Sequence, residues 1–276
     1  MNLLTFKYGI HPAYKKNSTE ASAISPAKIP KKVVIPLQQH IGAPNKPLVK
    51  KGDTVKTGQK IAESEAFVSS PVHASISGKI KAIASSLSSS GQLLTSVTIA
   101  SDGKDEAYES SPKKREYTDL SPDEIRAIAK EAGIVGLGGA AFPTHVKLNP
   151  PKEKKIDAVI INGSECEPYL TADHRIMLEQ PEKVIYGLKA IMKSLNVSKG
   201  YIGIENNKKD AIEALLKVAN KNGADIEING LHVKYPQGAE KMLIKAILNR
   251  EVPTGGLPMD VGVVVQNAGT AVALTE

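Results

Sequence analysis

Four short apolar runs constrain the chain most: Ile156-Asp157-Ala158-Val159-Ile160-Ile161, Tyr201-Ile202-Gly203-Ile204, Glu227 to Lys234, and Val261-Gly262-Val263-Val264-Val265. Between them lie stretches with helical spacing: Pro181 to about Leu195, Lys208 to Ala219 with Ile212, Leu215 and Leu216 on one face, and Gly238 to Leu248 with Leu243, Ile244 and Ile247. Strand alternating with helix predicts a mostly parallel sheet covered on both faces. Ser121-Pro122-Asp123-Glu124 opens a further helix, with serine as cap, proline at the first position and glutamate three residues past the cap; it ends at Gly133. Residues 121–276 therefore read as an α/β domain.

The chain before residue 121 has another character. Residues 1–30 mix Pro, Lys and Ser with little periodicity and read as an N-terminal arm. From Lys32-Val33-Val34-Ile35-Pro36 to about residue 100, short runs broken by glycine and proline read as strands and turns. Val55 and Ile61 anchor one such run beside Gly52-Asp53 and Thr57-Gly58, and Val72, Ala74 and Ile76 alternate before Gly78. Residues 31–100 are thus a small all-β domain. The polar run from Ser101 through Ser110-Ser111-Pro112-Lys113-Lys114-Arg115-Glu116 is too hydrophilic for a core, and 101–120 reads as a linker.

Composition removes several functions. The single cysteine, Cys166, forms no internal disulfide and by itself holds neither zinc nor an iron–sulfur cluster, and no metal site is expected. Its flanking glutamates predict a raised thiol pKa and no nucleophilic role. A net charge of +7 would permit nucleic-acid binding, but the cations are scattered and aromatics make up only 4%, so no nucleic-acid partner is expected. No run of apolar residues has the length of a membrane span, and Met1 to Lys7 lack the features of a secretory signal, which predicts the cytoplasm.

Five segments could carry chemistry. Gly136, Gly138 and Ala141 satisfy the loose G-x-G-x-x-G/A pattern, but the segment follows a helix and leads into Phe142-Pro143, so a standard dinucleotide fold is rejected. Clustered glycines still let backbone N–H groups approach a flat or anionic ligand; the alternative is a surface loop. At the C-terminal end of the 156–161 strand, Glu165 and Glu167 can accept from sugar hydroxyls and Asn162 can contact a heterocycle edge, or the group is a polar turn. Asp173-His174-Arg175 is either an acid–base cluster or a helix start capped by Asp173. Tyr235 to Glu240 follows a strand and opens a helix where N–H groups face an anion, and Val265-Gln266-Asn267-Ala268-Gly269-Thr270 ends another strand in amides and a hydroxyl.

The segments Gly136 to Leu148, Glu165 to Arg175, Tyr235 to Lys241 and Val252 to Pro258, with Gly9-Ile10-His11-Pro12 near the start, closely resemble the RnfC family, a component of the Rnf electron-transport complex. That family's flavin domain is similar to the NADH-binding flavoprotein of respiratory complex I. The resemblance implies an electron-entry module at the cytoplasmic face of the membrane, in an ion-translocating NADH:ferredoxin oxidoreductase, with hydride transfer between NADH and FMN. By motif position Gly136, Gly138, Lys147, Asn162, Glu165, Gly238, Gln266, Asn267 and Thr270 would line FMN, while Phe142, Glu167 and Glu240 would face NADH; none is assigned a catalytic role. The sequence departs from the complex I pattern at Leu137, where arginine is usual, and at Ser164, where aspartate is. Implied partners are the membrane subunits of the complex, NADH, and ferredoxin through the full complex. The family's β-grasp region and ferredoxin-like domain with two 4Fe-4S clusters are not in this sequence, which reads as a fragment of a longer protein.

Val49 to Val55 and Ser70 to Gly78 also resemble the barrel-sandwich fold of lipoyl and biotinyl carriers. The hairpin that bears the modified lysine there reads Glu63-Ser64-Glu65-Ala66-Phe67-Val68 here, which leaves a docking surface as the expectation. The fold expected is therefore an α/β flavin domain preceded by a lipoyl-like all-β domain. A non-catalytic docking module of the same complex, or a sister flavoprotein such as a cobalamin reductase, is the alternative function.

Overall fold

A computed structural model describes residues 2–89, 91–109, 115–220 and 225–276. Its first half holds β1 (Lys32–Pro36), β2 (Lys46–Pro47), β3 (Thr54–Val55), β4 (Lys60–Glu63), β5 (Val72–His73), β6 (Gly78–Leu87) and β7 (Leu93–Ser101). They form two antiparallel sheets, ordered β1-β7-β6-β3 and β2-β4-β5. The alternation in the sequence sets the inward faces: Val55, Ile61, Val72, Ala74 and Ile76 are buried, joined by Ile80, Val97 and Ile99.

The second half begins with α1 (Pro122–Glu131), whose cap is as the sequence predicts. Glu124 N donates to Ser121 Oγ and Ser121 N donates to the Glu124 carboxylate, while Gly133 ends the helix at φ +71°. Then follow α2 (Thr144–Lys147), β8 (Ala158–Gly163), α3 (Ala172–Glu179), α4 (Pro181–Leu195), β9 (Gly200–Glu205), α5 (Lys209–Asn220), β10 (Ile226–Leu231), α6 (Glu240–Leu248), β11 (Val263–Asn267) and α7 (Ala268–Thr275). The four strands pair in the order β10-β9-β8-β11, parallel throughout. Val159, Ile161, Ile202 and Ile204 pack against α4, α5 and α7, while Ala158, Ile160, Tyr201 and Val265 pack under α6. Burial on both faces is why each run is continuously apolar. Helix α6 starts at Glu240 rather than Gly238, because Gln237 N and Ala239 N are used in tight turns to Lys234 O and Pro236 O.

The arm belongs structurally to the second half. Leu4 pairs in parallel with Leu231 at the end of β10, Ile10 pairs with Tyr235, and the buried Lys16 Nζ donates to Glu165 O and Glu167 O (3.0 Å each) and to Leu170 O. The polar run is more engaged than its composition predicts. Thr57 N donates to Glu106 O, and the Tyr117 ring packs edge-on to Tyr186 at 4.9 Å, with Tyr117 N donating to the Tyr186 hydroxyl. Residues 110–114 of that run lie outside the described residues.

Candidate functional site

Parallel sheets collect ligands at the C-terminal ends of their strands, and here β8 and β11 end beside the glycine loop and the 235–240 turn. Asn162, at the end of β8, donates from Nδ2 to Gly238 O (2.8 Å) and accepts from Ser164 N at Oδ1 (3.1 Å), tying strand end to turn. Asn267, at the end of β11, caps α7: Oδ1 accepts from Gly269 N (2.8 Å) and Thr270 N (3.3 Å), while Nδ2 donates to Asp173 Oδ2 (2.6 Å).

The glycine loop is closed on itself. Gly136 N donates to Phe142 O (2.9 Å), Thr144 N to Ile134 O (3.0 Å), and Leu137 N to Thr270 Oγ1 (3.0 Å). A Cβ at Gly138 would lie 2.7 Å from Asn267 Nδ2, so only glycine lets loop and cap meet, whereas a Cβ at Gly139 would have no atom within 4 Å.

These elements enclose a cavity of about 750 Å³. Gly136, Gly138, Phe142, Lys147, Asn162, Glu167, Gly238, Glu240, Gln266 and Asn267 all line it. Lys147 Nζ donates to Val265 O (2.7 Å) and pairs with Glu240 Oε1 (2.8 Å). Gln266 is buried and its Nε2 has no hydrogen-bond partner, an amide donor aimed at no protein acceptor.

Glu165 and Thr270 do not line the cavity. Both Glu165 oxygens are taken by the first N–H groups of α3, those of Asp173 (2.7 Å) and His174 (3.3 Å), so its carboxylate caps a helix rather than meeting a sugar hydroxyl. Asp173 accordingly is not the cap of α3: it sits in the first turn, after Thr171. His174 is buried between α3 and α5, with Nε2 2.8 Å from Asp210 Oδ1, away from the cavity. The thiol of Cys166 lines the cavity and accepts from Gly238 N (3.3 Å); burial first, then the Glu167 charge, pushes it up to about 11.

Burial, reinforced by the Glu165 charge, pushes the Asp173 carboxyl up to about 6. Its unfolded value is about 3.9, so the folded state binds this proton more tightly. The stability it contributes is complete below about pH 4 and is lost as pH rises through about 6. Asp173→Asn is expected to flatten the urea-midpoint profile between about pH 4 and 6, and parallel slopes for parent and variant would show Asp173 ionised throughout.

The sequence reading did not anticipate Ile41 and Phe67 in the lining, both from the β half, nor Pro150, Pro151 and Met259. The signal for Phe67 was present in another form, as an aromatic in the hairpin that carriers use for their modified lysine.

A family model described as the Nuo51 FMN-binding domain matches residues 129–276, more than half of the chain, and a model described as the RnfC barrel sandwich hybrid domain matches residues 4–104. The chain belongs to the RnfC family. Its relatives include the RnfC protein of the Na(+)-translocating ferredoxin:NAD(+) oxidoreductase complex of Acetobacterium woodii, 55% identical over 99% of this chain and 61% of that protein. The corresponding protein of the proton-translocating complex of Clostridium ljungdahlii is 53% identical over 99% of this chain and 60% of that protein. The chain thus spans about three-fifths of the length of these two relatives. Among solved structures, an NAD+-reducing [NiFe]-hydrogenase in the H2-reduced state has a TM-score of 0.50 at 25% identity, covering 56% of this chain and 30% of that one. Its air-oxidised form gives a TM-score of 0.51 at 22% identity, covering 59% and 32%. An α/β domain with a parallel sheet, preceded by a barrel-sandwich domain, is thus both the fold read from the sequence and the family's arrangement. Among the described residues no helix is long and apolar enough to cross a membrane.

Proposed function

We propose that the cavity binds FMN and an adjacent NADH, and that the chain is the electron-entry part of an ion-translocating NADH:ferredoxin oxidoreductase, peripheral at the cytoplasmic membrane face. The observation that carries this reading is the convergence of ten of the twelve expected residues, from four separate segments, on one cavity. The lining also fits the group: the orphaned Gln266 amide and the open Gly139 backbone offer donors and clearance to a flat, anionic ligand.

When bound, FMN supplies the exchange between two-electron chemistry with NADH and one-electron transfer to iron–sulfur clusters, which the longer relatives would carry beyond this region. The chain supplies position. Gly136 and Gly138 let backbone approach the flavin, Asn162, Gly238, Gln266 and Asn267 contact it, and Lys147 places a cation for its phosphate. Glu165 and Thr270 act from behind, fixing the 165–170 loop and the glycine loop. Phe142, Glu167 and Glu240 face the nucleotide side. Ferredoxin, NADH and the membrane subunits are the partners in this reading.

Lys147→Ala is expected to weaken FMN binding about 10- to 100-fold, the worth of one charge-assisted hydrogen bond. Quenching of flavin fluorescence on titration measures it. Equal affinity in variant and parent would remove Lys147 from the site, and a parent chain that leaves FMN free well above micromolar concentration would sink the reading itself.

A further inference from the structure

One wall of the cavity comes from the barrel-sandwich half. Phe67, in the hairpin between β4 and β5, lines the cavity with 56% of its surface exposed. It is one of only three phenylalanines in the chain, and Phe142 in the same lining is another. An exposed phenylalanine on a free loop would need no explanation, but this one is fixed. His145 Nε2, on the same short helix as Lys147, donates to Phe67 O (3.1 Å), and the two rings meet edge-on at 6.1 Å. The next residue is held as well: Ala43 N donates to Val68 O (2.9 Å), and a Cβ on Gly42 would lie 2.1 Å from that oxygen, so the 41–43 segment lies against the hairpin with no clearance. Ile41 N in turn donates to Ala141 O (3.4 Å), joining this corner to the glycine loop.

The result is an aromatic ring with a pinned backbone, half open to a cavity that already offers glycine backbone, amides and a lysine. Rings held this way bind planar heterocycles at little ordering cost. The hairpin that in carrier domains presents a mobile arm here presents a stationary ring. We propose that Phe67 is a nucleotide-binding residue, contributed by the barrel-sandwich half, whose ring packs on a planar heteroaromatic ring of the dinucleotide with Ile41 beside it. This rests on the cavity taking FMN and NADH as proposed above.

The test uses the whole chain loaded with FMN, with Phe67→Ala and Phe67→Tyr compared to the parent. Calorimetric titration with ADP-ribose probes an adenine contact, and nicotinamide mononucleotide probes a nicotinamide contact. Phe67→Ala is expected to weaken one of the two about tenfold, as loss of a ring–base stack does, with FMN affinity and thermal midpoint unchanged. The KM for NADH should rise with kcat held, and Phe67→Tyr should restore both affinity and KM. Unchanged affinity for both probes in Phe67→Ala overturns the proposal, as does a loss confined to FMN. Failure of the parent to bind FMN would instead overturn the function proposed for the cavity, and this inference with it.

Discussion

Lys208→Met is expected to cost about 3–5 kcal/mol of folding stability, because it leaves a buried carboxylate without its cation. Lys208 and Glu205 are almost wholly shielded from solvent, at 1% and 0% exposure, with Nζ 3.4 Å from Glu205 Oε2. Burial pulls the lysine pKa down and pushes the glutamate pKa up, so each holds its charge against desolvation largely through the other. The ammonium also donates to Ser164 O (2.7 Å) and Asn207 Oδ1 (3.0 Å), which anchors the start of the loop running to Glu167. With the cation gone, Glu205 takes up a proton in the folded state. That rescue is available at low pH and fades as pH rises, so the loss measured by urea unfolding should be smaller at pH 5 than at pH 8. Lys208→Met combined with Glu205→Gln should be less destabilised than Lys208→Met alone. A pH-independent loss under about 1 kcal/mol would show that water reaches the pair.

Gly187→Ala is expected to destabilise the fold by about 2 kcal/mol or more and to weaken the flavin site with it. Alanine ordinarily improves a helix by about 1 kcal/mol over glycine. In α4, however, a Cβ at this position would lie 2.0 Å from Ala271 O and 2.6 Å from its carbonyl carbon. Both atoms belong to the backbone of α7, so no side-chain rotation relieves the contact and the helices must separate. Helix α7 begins directly after Asn267, the cap that meets Gly138 at the cavity, so its displacement reaches the lining. Denaturant unfolding and FMN titration of the same preparation measure both effects. A variant as stable as the parent would show that α7 yields freely.

Local chemistry was legible where it acts over a few residues. The Ser121–Glu124 box follows from spacing because both its partners lie within one turn, and the strands β8 and β11 follow from their unbroken apolar runs. Function carried across the chain was not legible in this way. The cap of α3 is the carboxylate of Glu165, which sits before the helix, outside the window in which a capping box is recognised. Lys16 and Lys208 are buried, yet in the sequence nothing separates them from the other members of a set of 36 basic residues. Phe67 and Ile41 reach the cavity only because one half docks on the other, and no local pattern encodes a docking. Of the expected site residues, Glu165 and Thr270 lie outside the cavity lining, because their side chains are spent on the start of α3 and on the glycine loop.

The N-terminal arm makes the two halves inseparable in order of assembly as well as in space. Lys234 and Phe6, joined by a lysine-to-carbonyl hydrogen bond, are 228 residues apart in sequence. The arm therefore waits, unpaired, until β10 and the 232–235 segment have been synthesised, by which time the residues of the barrel sandwich are already made. Only then does Leu4 extend the β10 edge of the sheet, shielding backbone groups that an open edge would offer to other chains. A cut through the polar run would thus give not two clean domains but a sheet with a bare edge and an orphaned ribbon.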